Sequence, residues 1–425
     1  MIDINLIRES PDLVKANIQK KGQDEKLVLV DEIVKLDEKW RKEKYKTDGL
    51  RAERNKISEE INKAKKNKDE KGAKELIKAA KEIPEKIKKA EEKGDRLSEE
   101  IRKIMVQFPN IISKETPVGK DESKNVEIKK WGKIPKFNFE VKNHVELVEN
   151  LGIADFDSSA RVSGTGFYYL KGELALLNQA LVRFAIDFMK AKGYEYIETP
   201  LMLNEGAIYA SMDKDAIEQS VYSIDGEDLN LIGTAEQSLL AMHYGDVIPE
   251  DKLPKKYFSY TMCFRKEVGA HGINEKGLWR THQFNKVEQF IFCKPNESEK
   301  MFDELLKNSE GILKKLGLPY RVIEICSGDL SLWKNRSYDV EVWRPTTNSY
   351  GEIMSLSNCT DFQARKLGIK VVGEDGREVV HTLNNTALAT SRIMVAILEN
   401  FQTKKGTVKI PKILWPYMNG VKEFK

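Results

Sequence analysis

Arg265, Glu267, His282, Phe284, Lys286 and Glu288 crowd into FSYTMCFRKEVGAHGINEKGLWRTHQFNKVEQFIF, residues 258–292. Two strand-like runs flank a glycine-spaced loop. Successive side chains of a strand point to opposite faces. Alternation puts Arg265 and Glu267 on one face of the first run, and His282, Phe284, Lys286 and Glu288 on one face of the second. Trp279, Val287 and Ile291 fall on the other. Charged groups on a buried sheet face are costly unless something pairs with them. A guanidinium forks onto phosphate oxygens and a carboxylate pairs with an ammonium. The residue types therefore point to a floor for a ligand with phosphate, an aromatic base and an amine. The alternative is an amphipathic hairpin with a solvated polar face.

Three further segments carry candidate chemistry. LIGTAEQSLLAMHYGDVI, residues 231–248, contains Thr234-Ala235-Glu236, a Thr cap before a helix with an acid in its first turn. SYDVEVWRPTTNSYGEIMSLSNCTDFQARK, residues 337–366, holds Glu352 and Ser355; Glu352 on its own reads as a surface-strand residue. In HTLNNTALATSRIMVAILENFQ, residues 381–402, a helix is expected around Arg392. Its three- and four-residue neighbours, Leu388, Ala389, Val395 and Ala396, cannot pair with it. Such an arginine needs a partner from another element or an end exposed to water. No GxxxxGK[ST] loop or Rossmann glycine set occurs.

The elements that must position these groups are set by length and patterning. A chain of 425 residues allows two or three domains and at least one large core. Its four cysteines are dispersed without a CxxC pair, which gives no disulfide framework or zinc spacing and suits a reducing compartment. The N-terminus MIDINLIRESPDLV lacks a signal-like apolar core, and no later apolar run approaches ~18 residues. The expectation is a cytoplasmic protein with no membrane span. Net charge is +4 but uneven: residues 41–105 hold 22 Lys or Arg against 15 Asp or Glu, leaving the rest slightly acidic. A basic segment on a near-neutral body is where a polyanion would bind.

That segment is also periodic. After a short helical cap over residues 1–25, Leu29, Ile33, Leu36, Trp40, Leu50, Ile57, Ile61 and Ala64 follow a 4-3 rhythm, with polar breaks at Glu43, Thr47 and Arg54. The rhythm stops at the turn NKDEKG, residues 67–72, and resumes from Leu76 through Ile83, Ile87, Ala90, Leu97, Ile101 and Phe108. Two such runs predict an antiparallel coiled-coil hairpin, an arm of roughly 50–60 Å at ~1.5 Å per residue. Pro84 should bend or fray the second helix near the tip. Residues 109–135 are rich in Pro, Gly and Lys and read as a linker. Residues 174–193 predict a long helix ending at Gly193, followed by the strand YEYIETPLML with Pro200 inside it.

FRKE, a loop, then RTHQFNKVE closely resembles motif 2 of class II aminoacyl-tRNA synthetases, in the version found in seryl-tRNA synthetases. The helix–Gly–strand–Pro order resembles motif 1, and residues 381–402 resemble motif 3, in wording nearest archaeal and eukaryotic members. The resemblance covers nearly the whole chain. It implies an α+β protein: an N-terminal antiparallel helical hairpin over residues 1–108, a linker over 109–135, and a class II catalytic domain over 136–425. That domain would be an antiparallel sheet of six to eight strands flanked by helices, working as a homodimer. It implies serine–tRNA ligase activity through a seryl-adenylate, extending to the selenocysteine tRNA where one is present, with ATP and Mg2+. The arm would reach tRNA(Ser). Arg265, Lys266, Glu267, Thr281, Phe284, Glu352, Ser355 and Arg392 match ATP positions, Arg265 and Arg392 being the catalytic pair. Glu352 and Ser355 match the magnesium positions. Thr234, Ala235, Glu236, Arg265, Glu288, Asn384 and Thr386 match the L-serine positions. The chain departs from family wording at Asn384-Asn385-Thr386-Ala387, at Arg365-Lys366, and in the motif 2 loop, which lacks the common Asp-Thr-Arg. Two rival readings are an amino acid:carrier-protein ligase, whose known examples lack the arm, and a non-catalytic coiled-coil nucleic-acid-binding protein.

Overall fold

The computed structural model of the chain describes residues 1–268, 276–374 and 376–425. The motif 2 loop from Gly269 to residue 275 lies outside the described residues. Two compact units result, Ile2–Phe108 and Pro109–Lys425, the second joined by Met1.

In the first unit α1 (Ile4–Glu9) and α2 (Pro11–Lys20) precede α3 (Leu27–Lys66), α4 (Glu70–Ala80) and α5 (Ile83–Met105). With 40 residues, α3 is about 60 Å long. It runs antiparallel to α5, and Arg51 meets Glu91 across the seam at 2.7 Å. Ile83, Ile87, Ala90 and Ile101 are buried on that seam, as the heptads require. The tip turn is shorter than NKDEKG: Asp69 already caps α4, accepting from the Gly72 N–H at 2.9 Å. The second run is broken between α4 and α5, and Pro84 falls in the first turn of α5, where its missing N–H leaves no bond unmade.

Asp37 breaks the heptad rule. Its carboxylate is buried and receives Nε and Nη2 of Arg8 at 2.9 and 2.8 Å and Nε of Arg41 at 2.9 Å. Read by period alone it belongs to the wet face; instead it fastens α1 to α3.

In the second unit an eight-stranded sheet forms among the described residues. Its strands are β1 (Val126–Trp131), β2 (Glu195–Tyr196), β3 (Lys255–Phe264), β4 (Gln283–Cys293), β5 (Tyr320–Glu324), β6 (Arg336–Arg344), β7 (Ser349–Thr360) and β8 (His381–Ala389). The order is β1-β5-β6-β7-β8-β4-β3-β2, antiparallel throughout except for the parallel pair β2–β3. Helices α6 (Gly172–Ala191), α7 (Ala235–Ala241), α8 (Ser298–Leu316), α9 (Phe362–Leu367) and α10 (Thr390–Asn400) pack around it. The main core joins the apolar stripes of α6, α8 and α10 to Val287, Ile291, Val340 and Leu356 of the sheet.

Four expectations need correction. The stretch 109–135 is not a free linker: it carries edge strand β1, and Asn110 donates to the carbonyls of Trp333 and Cys359 at 3.0 and 2.9 Å. All six residues of β1 are exposed, so no alternation of burial marks it. YEYIETPLML is not one strand: β2 and a second pair of residues, Met202–Leu203, join different sheets on either side of Pro200, which cannot donate to a ladder. The segment 381–402 is half strand: the helix starts only at Thr390, because residues 381–389 are central in the sheet. Finally, β3 ends at Phe264, so Arg265, Lys266 and Glu267 follow the strand, and Glu267 has φ +51°.

Asp37→Ala should destabilise the helical unit by about 1–3 kcal/mol, the scale of a lost buried charged acceptor, and lower its urea midpoint in the full chain. Burial alone would raise the Asp37 carboxyl, but Arg8 and Arg41 outweigh it and hold it below the usual range. The parent's advantage is therefore full above the unfolded value of about 3.9 and shrinks as pH falls through the lower folded value. A midpoint difference that persists unchanged into that acid range would contradict this account.

Candidate active site

Strands β7, β8 and β4 lie side by side, and their shared face floors a cavity of about 580 Å³. One end is acidic. Glu288 on β4 stands opposite Thr386 on β8, and Glu236 comes from the first turn of α7, where the Thr234 side chain accepts the Glu236 N–H at 3.3 Å. Both carboxylates are buried, at 1% and 9% exposure. The Asn384 amide donates to both, at 2.9 Å to Glu236 and 3.2 Å to Glu288. Thr386 Oγ1 donates to Glu288 at 3.3 Å, and Lys286 Nζ pairs with it at 2.8 Å. Gln363 from α9 donates to Glu236 at 2.7 Å and is itself held by Thr382 at 2.8 Å. Burial first, and the Glu288 charge second, push the Glu236 carboxyl above its ordinary value. Asn384 Oδ1 is buried without a partner. That one acceptor is short of a donor, which an ammonium or a hydroxyl would supply.

The rest of the cavity is cationic. Arg265 Nε donates to the Gly233 carbonyl at 3.0 Å, and its guanidinium sits 5.4 Å from the Phe284 ring. A Cβ on Gly233 would lie 3.4 Å from Arg265 Cγ, so glycine leaves the arginine room. The Arg265 N–H donates to the His282 carbonyl and His282 Nδ1 donates to the Arg265 carbonyl, both at 2.9 Å. Arg392 finds the outside partners its helix denies it. Its Nη1 donates to the Glu352 carbonyl at 2.8 Å and lies 3.4 Å from the Glu352 carboxylate, and Nε reaches the Trp279 carbonyl at 3.4 Å. Lys334 Nζ donates to Ser355 and Ser337 at 3.3 and 3.2 Å.

Beside these cations are Glu352, which lines the cavity, and Asp339, which does not. Burial would raise Glu352, but Arg392, Lys334 and Arg265 outweigh it and hold it below its ordinary value. Burial, then the Glu352 charge, pushes Asp339 up to about 7, and its Oδ1 has no partner. Among the described residues no three His, Cys, Asp or Glu side chains form a metal cage. Glu352 and Ser355 offer two hard oxygen ligands, which suits a magnesium ion that brings phosphate and water oxygens with it.

Of the residues expected in the site, Thr234, Glu236, Arg265, Glu267, Thr281, Phe284, Glu288, Glu352, Ser355, Asn384, Thr386 and Arg392 line this cavity. Ala235 and Lys266 do not. Ala235 is packed in the apolar cluster under α7, and Lys266 Nζ lies 6.0 Å over the Tyr222 ring. Trp279 was expected on the far face yet lines the cavity, because residues 276–281 precede β4 and obey no alternation. Lys334 and Asp339 carried no sequence assignment. Lys334 sits in an irregular segment without a period, whereas Asp339 alternates with Glu341 along β6 and could have been suspected.

A mostly antiparallel sheet with this divided cavity is the architecture of a class II aminoacyl-tRNA synthetase, and residues 220–401 match the family described as tRNA synthetase class II core domain (G, H, P, S and T). Residues 1–112 match the seryl-tRNA synthetase N-terminal domain. The chain belongs to the seryl-tRNA synthetase family. It is 45% identical over 424 residues to a serine–tRNA ligase of Methanocella arvoryzae, covering 99% of both chains. It is 42% identical over 445 residues to one of Pyrococcus horikoshii, covering all of this chain and 97% of the other. The crystal structure of seryl-tRNA synthetase from Pyrococcus horikoshii complexed with ATP superposes with a TM-score of 0.92 at 41% identity, over 100% of this chain and 99% of that one. That of a cytoplasmic serine–tRNA ligase from Naegleria fowleri in complex with AMP gives 0.88 at 35%, over 100% and 99%.

Asn384→Asp should place a third carboxylate between Glu236 and Glu288. The new acid would titrate above its unfolded value, so the variant should lose stability as pH rises, by about 1–3 kcal/mol near neutrality, and recover toward pH of about 5. Thermal midpoints at both pH values check this; a gap that widens on acidification would contradict it.

Proposed function

We propose that this chain attaches L-serine to tRNA(Ser) through a seryl-adenylate, using ATP and Mg2+. The observation that carries the reading is the division of one cavity into an acidic end with an unpaired acceptor and a cationic end with an aromatic floor. Glu288, Glu236 and Asn384 Oδ1 are set to receive the serine ammonium and hydroxyl, and Thr386 adds a hydroxyl contact. Polar partners matter here, because an apolar pocket rejects isosteres poorly. Adenine would stack on Phe284, displacing the Arg265 guanidinium toward the α-phosphate, with Glu267 and Thr281 beside the nucleotide and Arg392 taking the γ-phosphate. That the similar Pyrococcus horikoshii protein was crystallised with ATP supports ATP as the nucleotide.

In the first step the serine carboxylate oxygen attacks the α-phosphorus, an acyl–phosphate bond forms, and the bond to pyrophosphate breaks. The carboxylate is already a nucleophile, so the step needs no general base; it needs alignment and charge stabilisation by Arg265 and Arg392. Magnesium, held by Glu352 and Ser355 with the phosphates, would offset negative charge there. In the second step the 3′-hydroxyl of the terminal tRNA adenosine takes the seryl group and AMP leaves.

The basic hairpin α3–α5 is the arm for tRNA(Ser), bound through backbone phosphates and shape. The same chemistry would serylate the selenocysteine tRNA where one is present. The protein works as a cytoplasmic homodimer; among the described residues no helix is long and apolar enough to cross a membrane. A carrier-protein ligase reading is disfavoured by the arm and its match to the family's N-terminal domain.

Arg265→Ala should cut serine-dependent ATP–pyrophosphate exchange about 100- to 1000-fold, the usual loss for one preorganised charge donor. Near-parental exchange would refute its role. Deleting residues 41–103 should leave that exchange intact while abolishing tRNA charging; equal loss of both activities would argue against a tRNA arm.

A further inference from the structure

Trp279 contacts two guanidinium groups. Its ring centroid lies 5.5 Å from that of Arg392, which faces the cavity, and 4.2 Å from that of Arg344, which does not line it. Arg344, at the end of β6, is fixed by a forked ion pair: Nη2 and Nε donate to the two oxygens of Glu399 at 3.0 and 3.3 Å. Glu399 is fully buried and also accepts from Thr346 at 2.9 Å. It lies on α10 seven residues beyond Arg392, two turns along the same helix.

A second route joins the same anchor. His144 Nε2 accepts the Leu278 N–H at 3.1 Å, so its proton is on Nδ1, which donates to Glu399 at 3.1 Å. Glu399 thus holds the Leu278–Trp279 segment twice, by its backbone through His144 and by its ring through Arg344. The circuit closes at the cavity, where the Trp279 carbonyl accepts Arg392 Nε. There is no slack: a Cβ on Gly351 would lie 2.6 Å from the indole. Gly351 directly precedes Glu352, the other partner of Arg392.

We propose that Arg344 and Glu399 are positioning residues for ATP, which act through Trp279 to orient Arg392 toward the terminal phosphates. This rests on the ligase reading above. A guanidinium stacked on an indole and locked by a buried carboxylate cannot swing, so the indole beside it keeps one pose. Arg392 is then presented without losing side-chain freedom when nucleotide arrives.

The test is serine-dependent ATP–pyrophosphate exchange by the full-length protein, with KM measured separately for ATP and serine. Arg344→Ala should raise KM for ATP about tenfold, the factor for about 1.4 kcal/mol, with KM for serine within about twofold of the parent. Trp279→Ala should match it, and the double variant should be no worse than either single one. If the alanine variant folds poorly, Arg344→Lys carries the test, with a rise for ATP of about three- to fivefold and none for serine. An unchanged KM for ATP, equal rises in both constants, or additive effects in the double variant would overturn the proposal. Lack of exchange in the parent would instead refute the ligase reading.

Discussion

Two carboxylates, Glu236 and Glu288, are taken out of water close enough for one amide to touch both. Unscreened, that arrangement would unfold the site or force a proton onto one of them. The neighbouring elements supply what prevents it. Strand β8 brings Asn384 and Thr386, β4 brings Lys286, and α9 brings Gln363. The order β7-β8-β4 and the docking of α7 against it are thus tied to one electrostatic problem. The residual strain is directional: Glu236 remains above its ordinary value, and Asn384 Oδ1 remains without a donor. A ligand bringing an ammonium relieves both at once.

The other end inverts the problem. Arg265, Arg280, Arg392 and Lys334 line this wall with Glu267 and Glu352, and four cations against two acids leave it positive. One cavity therefore has a field along its length, and a molecule with an amine at one end and phosphates at the other has a single favourable orientation in it. Sequence proximity contributes little to this. Arg265 and Arg392 are 127 positions apart, and the sheet brings both to the same cavity.

The legible part of the site was the part governed by a period. β4 is an unbroken strand against β3, and alternation correctly grouped Phe284, Lys286 and Glu288. The heptads likewise announced α3 and α5. The period failed where the backbone has none: Trp279 and Lys334 sit in irregular segments, and their contacts depend on tertiary placement. It was silent where burial was achieved by pairing, as at Asp37, and the helix expected around Arg392 reached back over Leu388 and Ala389, where tertiary context chose strand. Ala235 and Lys266 show the limit of carrying over motif wording, since adjacency to a lining residue says nothing about which way a side chain points.

Residues 381–392 show why that strand matters. In regular alternation Asn384 and Thr386 would be followed by Leu388 on the cavity face. The pairing with β4 instead shifts between Thr386 and Leu388, so that Thr386 opposes Glu288 while Ala389 opposes Lys286. Such a bulge re-aims the side chains that follow it. Leu388 turns into the core, and the small Ala389 takes its place on the cavity wall. Space then opens above Lys286 between the acidic and cationic ends, where a leucine would have stood between an amine and its phosphate. The helix that starts at the next residue brings Arg392 to the far side of that space. One local irregularity lets a single run of nine residues, from 384 to 392, serve both ends of the cavity.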